Sequence, residues 1–167
     1  MTGLDAIREE LTACLRQGGL EAVTAWSAQT KSRPEGAVTA VSLRGCTAVP
    51  GGFRDYLGER YNKEKDRWEE LYGRKAKLTF GLDIYASGQD GGAQCQTAFD
   101  RLADLFHGGV LPGLRLESLS REETVYDREL GLFRCPVQAV CDAYLYAVAD
   151  EDGVFMDFEV RGGRTNE

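Results

Sequence analysis

The chain has 167 residues, with 20 Lys and Arg against 27 Asp and Glu, and a formal net charge of −7. That length supports one domain with its own core, without metal or disulfide staples. The acidic balance argues against a nucleic-acid binder, which needs clustered Lys and Arg for phosphate contacts. No run of about 18 apolar residues offers a membrane-spanning helix, and the first ten residues lack the basic-then-apolar order of a secretion signal.

In chain order, Thr2 is placed to cap a helix. Its apolar residues Leu4, Ile7, Leu11, Cys14 and Leu15 recur at helical spacing, and Gly18-Gly19 ends it. Residues 21–26 read as a short strand and 31–36 as a loop. A second strand over 37–43 is apolar on both faces apart from Thr39 and Ser42, which suits a central place in a sheet. Pro50-Gly51-Gly52 breaks the chain. Residues 56–61 fit a strand with its tyrosines facing out, whereas 62–70 also fit a helical turn. An exposed hairpin arm over 54–72 accommodates both the charged, aromatic composition and the lack of a core-forming face.

The segment 74–87 alternates cleanly. Ala76, Leu78, Phe80, Leu82, Ile84 and Ala86 interleave with Lys75, Lys77, Thr79, Gly81, Asp83 and Tyr85, as in a half-buried strand. After a Gly-rich loop, Cys95, Phe99, Leu102 and Phe106 mark a second amphipathic helix over 92–106, closed by His107-Gly108-Gly109. Leu114, Leu116 and Leu119 begin another strand, and 127–131 reads as a hairpin loop. Phe133, Cys135, Val137, Ala139, Cys141, Ala143, Leu145 and Ala147 then share one strand face, opposite Arg134, Gln138, Asp142, Tyr144 and Tyr146. At ~3.3 Å per residue this strand would approach ~50 Å. It is expected either to bend, at Pro136, or to pair in part with another chain. Val154, Met156, Phe158 and Val160 close the sheet, and 162–167 is a polar tail. The order predicts a single α+β domain over 1–161. Two amphipathic helices lie on one face of a largely antiparallel sheet, with 54–73 as a protruding arm.

No constellation for catalysis emerges. His107, the only histidine, has no paired nucleophile in a recognisable motif and suits a helix C-terminus. Glu122-Glu123 and Asp150-Glu151-Asp152 lack the spaced oxygen ligands of a cation loop. The glycine pairs at 51–52, 91–92 and 108–109 fit no phosphate-cradling pattern. The five cysteines, Cys14, Cys46, Cys95, Cys135 and Cys141, never stand in a C-x-x-C spacing, so buried, reduced thiols of a cytoplasmic protein are expected rather than zinc or redox chemistry. No catalytic, metal-ligating or cofactor-binding residue is assigned, and the expectation is a protein that is not an enzyme.

What remains is surface. Tyr56, Arg60, Tyr61, Trp68 and Tyr72 form a dense aromatic set in a charged context, the composition that interface cores favour, and Tyr144 and Tyr146 join them as expected interface residues. Charge is also uneven. Residues 54–77 carry eight Lys or Arg against six acids, and 115–160 carry four Arg against eleven acids. Such surfaces can be two solvated faces, or a self-complementary pair that steers copies of the chain together.

Several stretches carry a resemblance: Ala40-Val-Ser-Leu-Arg-Gly-Cys, Leu57-Gly-Glu-Arg-Tyr, Glu70-Leu-Tyr-Gly-Arg, Leu78-Thr-Phe-Gly-Leu-Asp-Ile-Tyr-Ala and Tyr126-Asp-Arg-Glu-Leu-Gly-Leu-Phe-Arg-Cys-Pro-Val. Over nearly its full length the chain resembles small prophage proteins of Gram-positive gut bacteria, of the tail-terminator or tail-completion type. The resemblance implies an α+β subunit of a ring, typically sixfold, that closes the tail tube and joins it to the head. Its implied partners are copies of itself and the tail-tube and neck proteins. Its implied setting is the bacterial host cytoplasm during assembly and then the virion. It transfers no catalytic residue. A head-closure or connector neck protein, or a small cytoplasmic ligand-binding α+β domain, stands as the alternative.

Overall fold

The computed structural model describes residues 4–24, 35–50, 56–110, 114–149 and 155–161. In chain order the elements are α1 (Leu4–Gln17), β1 (Glu21–Val23), β2 (Val38–Pro50), β3 (Tyr56–Asn62), β4 (Arg67–Ala86), α2 (Gly91–His107), β5 (Arg115–Arg121), β6 (Val125–Asp127), β7 (Leu132–Cys135), β8 (Val137–Ala149) and β9 (Phe155–Arg161). The fold is α+β: two helices on a mixed, mostly antiparallel sheet of nine strands among the described residues. Among the described strand pairs, only β1–β2 is parallel.

The clearest alternating segment of the sequence is the second half of a 20-residue strand, β4, which at ~3.3 Å per residue spans about 65 Å. Both its edges are occupied. On one edge β2 pairs with residues 74–85 and β3 with 67–72. On the other, β7 pairs with 84–86 and β8 with 70–81. β6 lies outside β7, and β5 and β9 lie outside β8.

The long strand expected from 133 onward is interrupted at Pro136 without losing register, since Ile84 faces Cys135 and Gly81 faces Gln138. Proline has no N–H to give the ladder. Instead the Val137 N–H reaches the Asp83 carboxylate at 3.3 Å, and the Pro136 carbonyl accepts the Glu122 N–H at 2.9 Å. Every residue of 138–149 pairs with β4 of the same chain, so the length of this strand does not require a neighbour.

The even-numbered residues of β4 carry the core. Leu78, Phe80, Leu82 and Ile84 are buried with Leu11 and Leu15 of α1, Cys95, Leu102 and Phe106 of α2, and Cys135 to Ala143 at alternate positions. Burying each large side chain contributes roughly 1.5–3 kcal/mol. Helix α1 ends where expected. Gly19 takes φ +89°, and the Leu20 N–H bonds back to the Leu15 carbonyl at 3.1 Å. Gly91 opens α2 where a Cβ would fall 3.1 Å from Phe133 Cγ, so the helix sits down on β7.

Four expectations need correction. The strand expected over 21–26 stops at Val23. The strand expected over 37–43 continues to Pro50, and among the described residues β1 covers its outer edge along 38–40 alone, so it is central there over a short stretch. The helical turn considered for 62–70 is a four-residue turn followed by β4. Of the cysteines, Cys95, Cys135 and Cys141 are buried, whereas Cys46 is exposed and Cys14 half-buried. The readings of Thr2, 25–34, 51–55, 150–154 and 162–167 fall outside the described residues.

Candidate interaction surface

Strand β3, residues 63–66 and the start of β4 form the hairpin arm. Asn62 organises its tip. Its Oδ1 accepts the N–H groups of Glu64 and Lys65 at 3.0 and 3.1 Å, while Asp66 takes the left-handed conformation at φ +51° that Asp tolerates in turns. The register places Tyr61 opposite Trp68, Arg60 opposite Glu69, and Tyr56 opposite Tyr72 beyond a bulge.

Because side chains alternate along a strand, this register sorts the arm into two faces. One is aromatic. Tyr61 and Trp68 meet edge to face with centroids 5.6 Å apart, and Tyr56 and Tyr72 do so at 5.5 Å. Trp68 and Tyr72 share parity with Leu78 and Phe80, so this is the face that carries the helices farther along β4. On the arm it is open: Trp68 is 52% exposed and Tyr61 44%. The hydroxyls are tied down, Tyr61 donating to Asp66 and Tyr72 to Glu70 at 2.8 Å. These bonds to carboxylates, together with desolvation, push both phenols above the ordinary tyrosine range. Tyr56 is raised too, by desolvation and then by Glu59 and Glu70. All three therefore present neutral phenols at physiological pH.

The other face is ionic. Glu69, 1% exposed, accepts Arg60 Nε at 3.2 Å and Asn62 Nδ2 at 3.0 Å, with Lys65 Nζ 3.9 Å away. Burial alone would raise its pKa. The hydrogen bonds from Asn62 and Arg60 and the charges of Arg60 and Lys65 outweigh burial and hold it below the ordinary glutamate range. Of the expected interface residues, then, Tyr56, Tyr61, Trp68 and Tyr72 come together on one face. Arg60 is on the opposite face, engaged with Glu69. Tyr144 and Tyr146 lie in β8 opposite Lys75 and Gly73, and their side chains fall outside the described set.

Three features were not singled out from the sequence. Asp83 accepts Arg44 Nη2 and Arg134 Nη2, each at 2.9 Å, on the face of β4 away from the helices. Its partners come from β2 and β7, and only the sheet register brings them together. An open groove of about 560 Å³ lies on that face between Thr47, Val49, Lys75, Lys77, Glu117 and Asp142, with Lys77 and Glu117 paired at 2.7 Å. Two more large apolar side chains are exposed on β6, one on each face of the strand: Tyr126, which stacks edge to face on Phe133 at 5.2 Å, and Val125 beside Arg134. The alternation of Val125, Asp127 and the residues around them is too short to signal a strand.

His107 ends α2 and is exposed. Among the described residues no three His, Cys, Asp or Glu side chains converge as metal ligands, and no helix is long and apolar enough to cross a membrane. No protein-family model and no curated protein matches the chain.

Proposed function

We propose that this protein is a non-enzymatic structural subunit of a phage or prophage virion, a tail terminator or tail-completion protein that forms a ring at the head–tail junction. The observation that carries this reading is the arm: two edge-to-face aromatic pairs, with Tyr56, Tyr61 and Trp68 exposed and Tyr72 half-buried, on a hairpin held in shape by a buried carboxylate. Paired aromatics so placed suit burial against another molecule, because they bring large apolar area at little entropic cost. Its partners would be copies of itself, closing a ring of six, and the tail-tube and neck proteins. A heterologous contact that closes on itself makes such a ring. The protein would act in the host cytoplasm during assembly and then in the virion.

Light scattering of the purified protein, alone and with the tail-tube protein of its proposed phage, tests this. Ring-sized mass in either sample is expected. A monomer in both, at every concentration, overturns the reading.

A further inference from the structure

We propose that the aromatic face of the arm takes an arginine side chain from the surface of a partner protein, held over Glu59 and Glu70. This deepens the reading above and rests on it for the arm as a contact surface. The register sets Glu59 directly opposite Glu70 on that face, between the Tyr61–Trp68 pair towards the tip and the Tyr56–Tyr72 pair towards the body. Two carboxylates opposed in this way stand on Cβ atoms about 4.5–5.5 Å apart and repel each other. Glu59 is exposed and Glu70 half-buried.

The two faces of the arm treat their acids differently. On the ionic face Glu69 has Arg60 and Lys65. On the aromatic face no Lys or Arg lies within ion-pair distance of Glu59 or Glu70 among the described residues. Arg74, next on this face beyond Tyr72, has a partner of its own. What the two carboxylates accept is phenols: Tyr72 donates to Glu70 at 2.8 Å, and Tyr56 donates to Glu59. A phenol carries no charge to offset them, so two negative charges remain side by side where Tyr61 and Trp68 are open. That chemistry selects the occupant. A cation relieves the repulsion, and aromatic rings attract a cation over their faces. Two carboxylates abreast suit a guanidinium, with five donors in a planar fork, better than the compact ammonium of lysine. Arginine is also the charged side chain that interfaces enrich.

The peptide acetyl-Gly-Arg-Gly-amide, titrated into the isotope-labelled full chain and followed by nuclear magnetic resonance, tests this. The Trp68 indole N–H signal, assigned with Trp68→Phe, should move and saturate at millimolar peptide. The same peptide with citrulline, the neutral isostere of arginine, should bind at least fivefold more weakly. The arginine peptide should lose as much against Glu59→Gln with Glu70→Gln, whose amides still accept the phenol bonds, and should bind Glu64→Gln at the exposed tip as it binds the parent chain. No saturation with the arginine peptide, equal binding of the citrulline peptide, unchanged binding by the double variant or an equal loss in Glu64→Gln overturns the proposal. Tubes capped by the protein alongside any of those results would leave the ring reading standing and remove only this site. Saturable binding as described with bare tubes would do the reverse.

Discussion

Arg60 and Glu69 face each other across the arm, Nε to Oε2 at 3.2 Å, and the carboxylate is almost wholly buried while the guanidinium stays partly open to water. The pair lies on the face away from the aromatics, so it sets their frame without taking part in the surface they form. Replacing Glu69 by Ala would leave the Arg60 and Asn62 donors without this acceptor. A loss of about 1–3 kcal/mol is expected. Urea unfolding measures it, and faster amide exchange across residues 56–72 would localise it to the arm.

The same carboxylate predicts an acid limb. Its folded pKa is depressed, so its contribution is fully present above the unfolded glutamate value of about 4.3 and is lost as pH falls through the folded pKa. Glu69→Gln should flatten the fall in stability below that value relative to the parent chain. Identical pH profiles from thermal melts would contradict this.

Gly81 is required by Arg44. A Cβ there would stand 2.6 Å from Arg44 Cζ and 2.6 Å from Ser42 Oγ, forcing the guanidinium off Asp83. Gly81→Ala is expected to cost about 1–3 kcal/mol through overpacking. In an Arg44→Ala background the cost should shrink, and a double-mutant cycle gives the coupling directly.

Two aromatic truncations should part company. Phe80→Ala opens a cavity in the fully buried centre and should cost about 3–5 kcal/mol in denaturant unfolding. Trp68→Ala removes a half-exposed ring and one edge-to-face contact, at about 0.5–1.5 kcal/mol. Its larger effect should appear in association between copies, read by sedimentation velocity.

Thiol chemistry should separate the cysteines. Burial, then the nearby Cys135, pushes Cys95 up to about 11, and burial, then Asp142, pushes Cys141 to about 12. Cys46 is exposed. With a disulfide reagent at pH 8, Cys46 should react first, Cys14 more slowly, and the three buried thiols only on unfolding.

The helices and the core half of β4 were legible because Leu, Ile and Phe recur there at fixed spacing. The first half of β4 was not. Trp68, Glu69 and Glu70 alternate between an open aromatic face and a carboxylate satisfied from the facing strand, so no apolar period exists to read. Asp83 looked like a solvent-facing position, yet Arg44 and Arg134 enclose it from 39 and 51 residues away. Such long-range neutralisation is fixed by register, and a single strand's pattern carries no trace of it. The arm's aromatics were legible as a set, whereas their division from Arg60 needed the hairpin register.

The proposed assembly is a ring at the end of a tail tube. Negative-stain imaging of the protein mixed with tubes of the tail-tube protein of its proposed phage tests that most directly. The account predicts a ring of added density capping one end of each tube, weakened when Tyr61 and Trp68 are both replaced by Ala. Bare tube ends at saturating protein would contradict it.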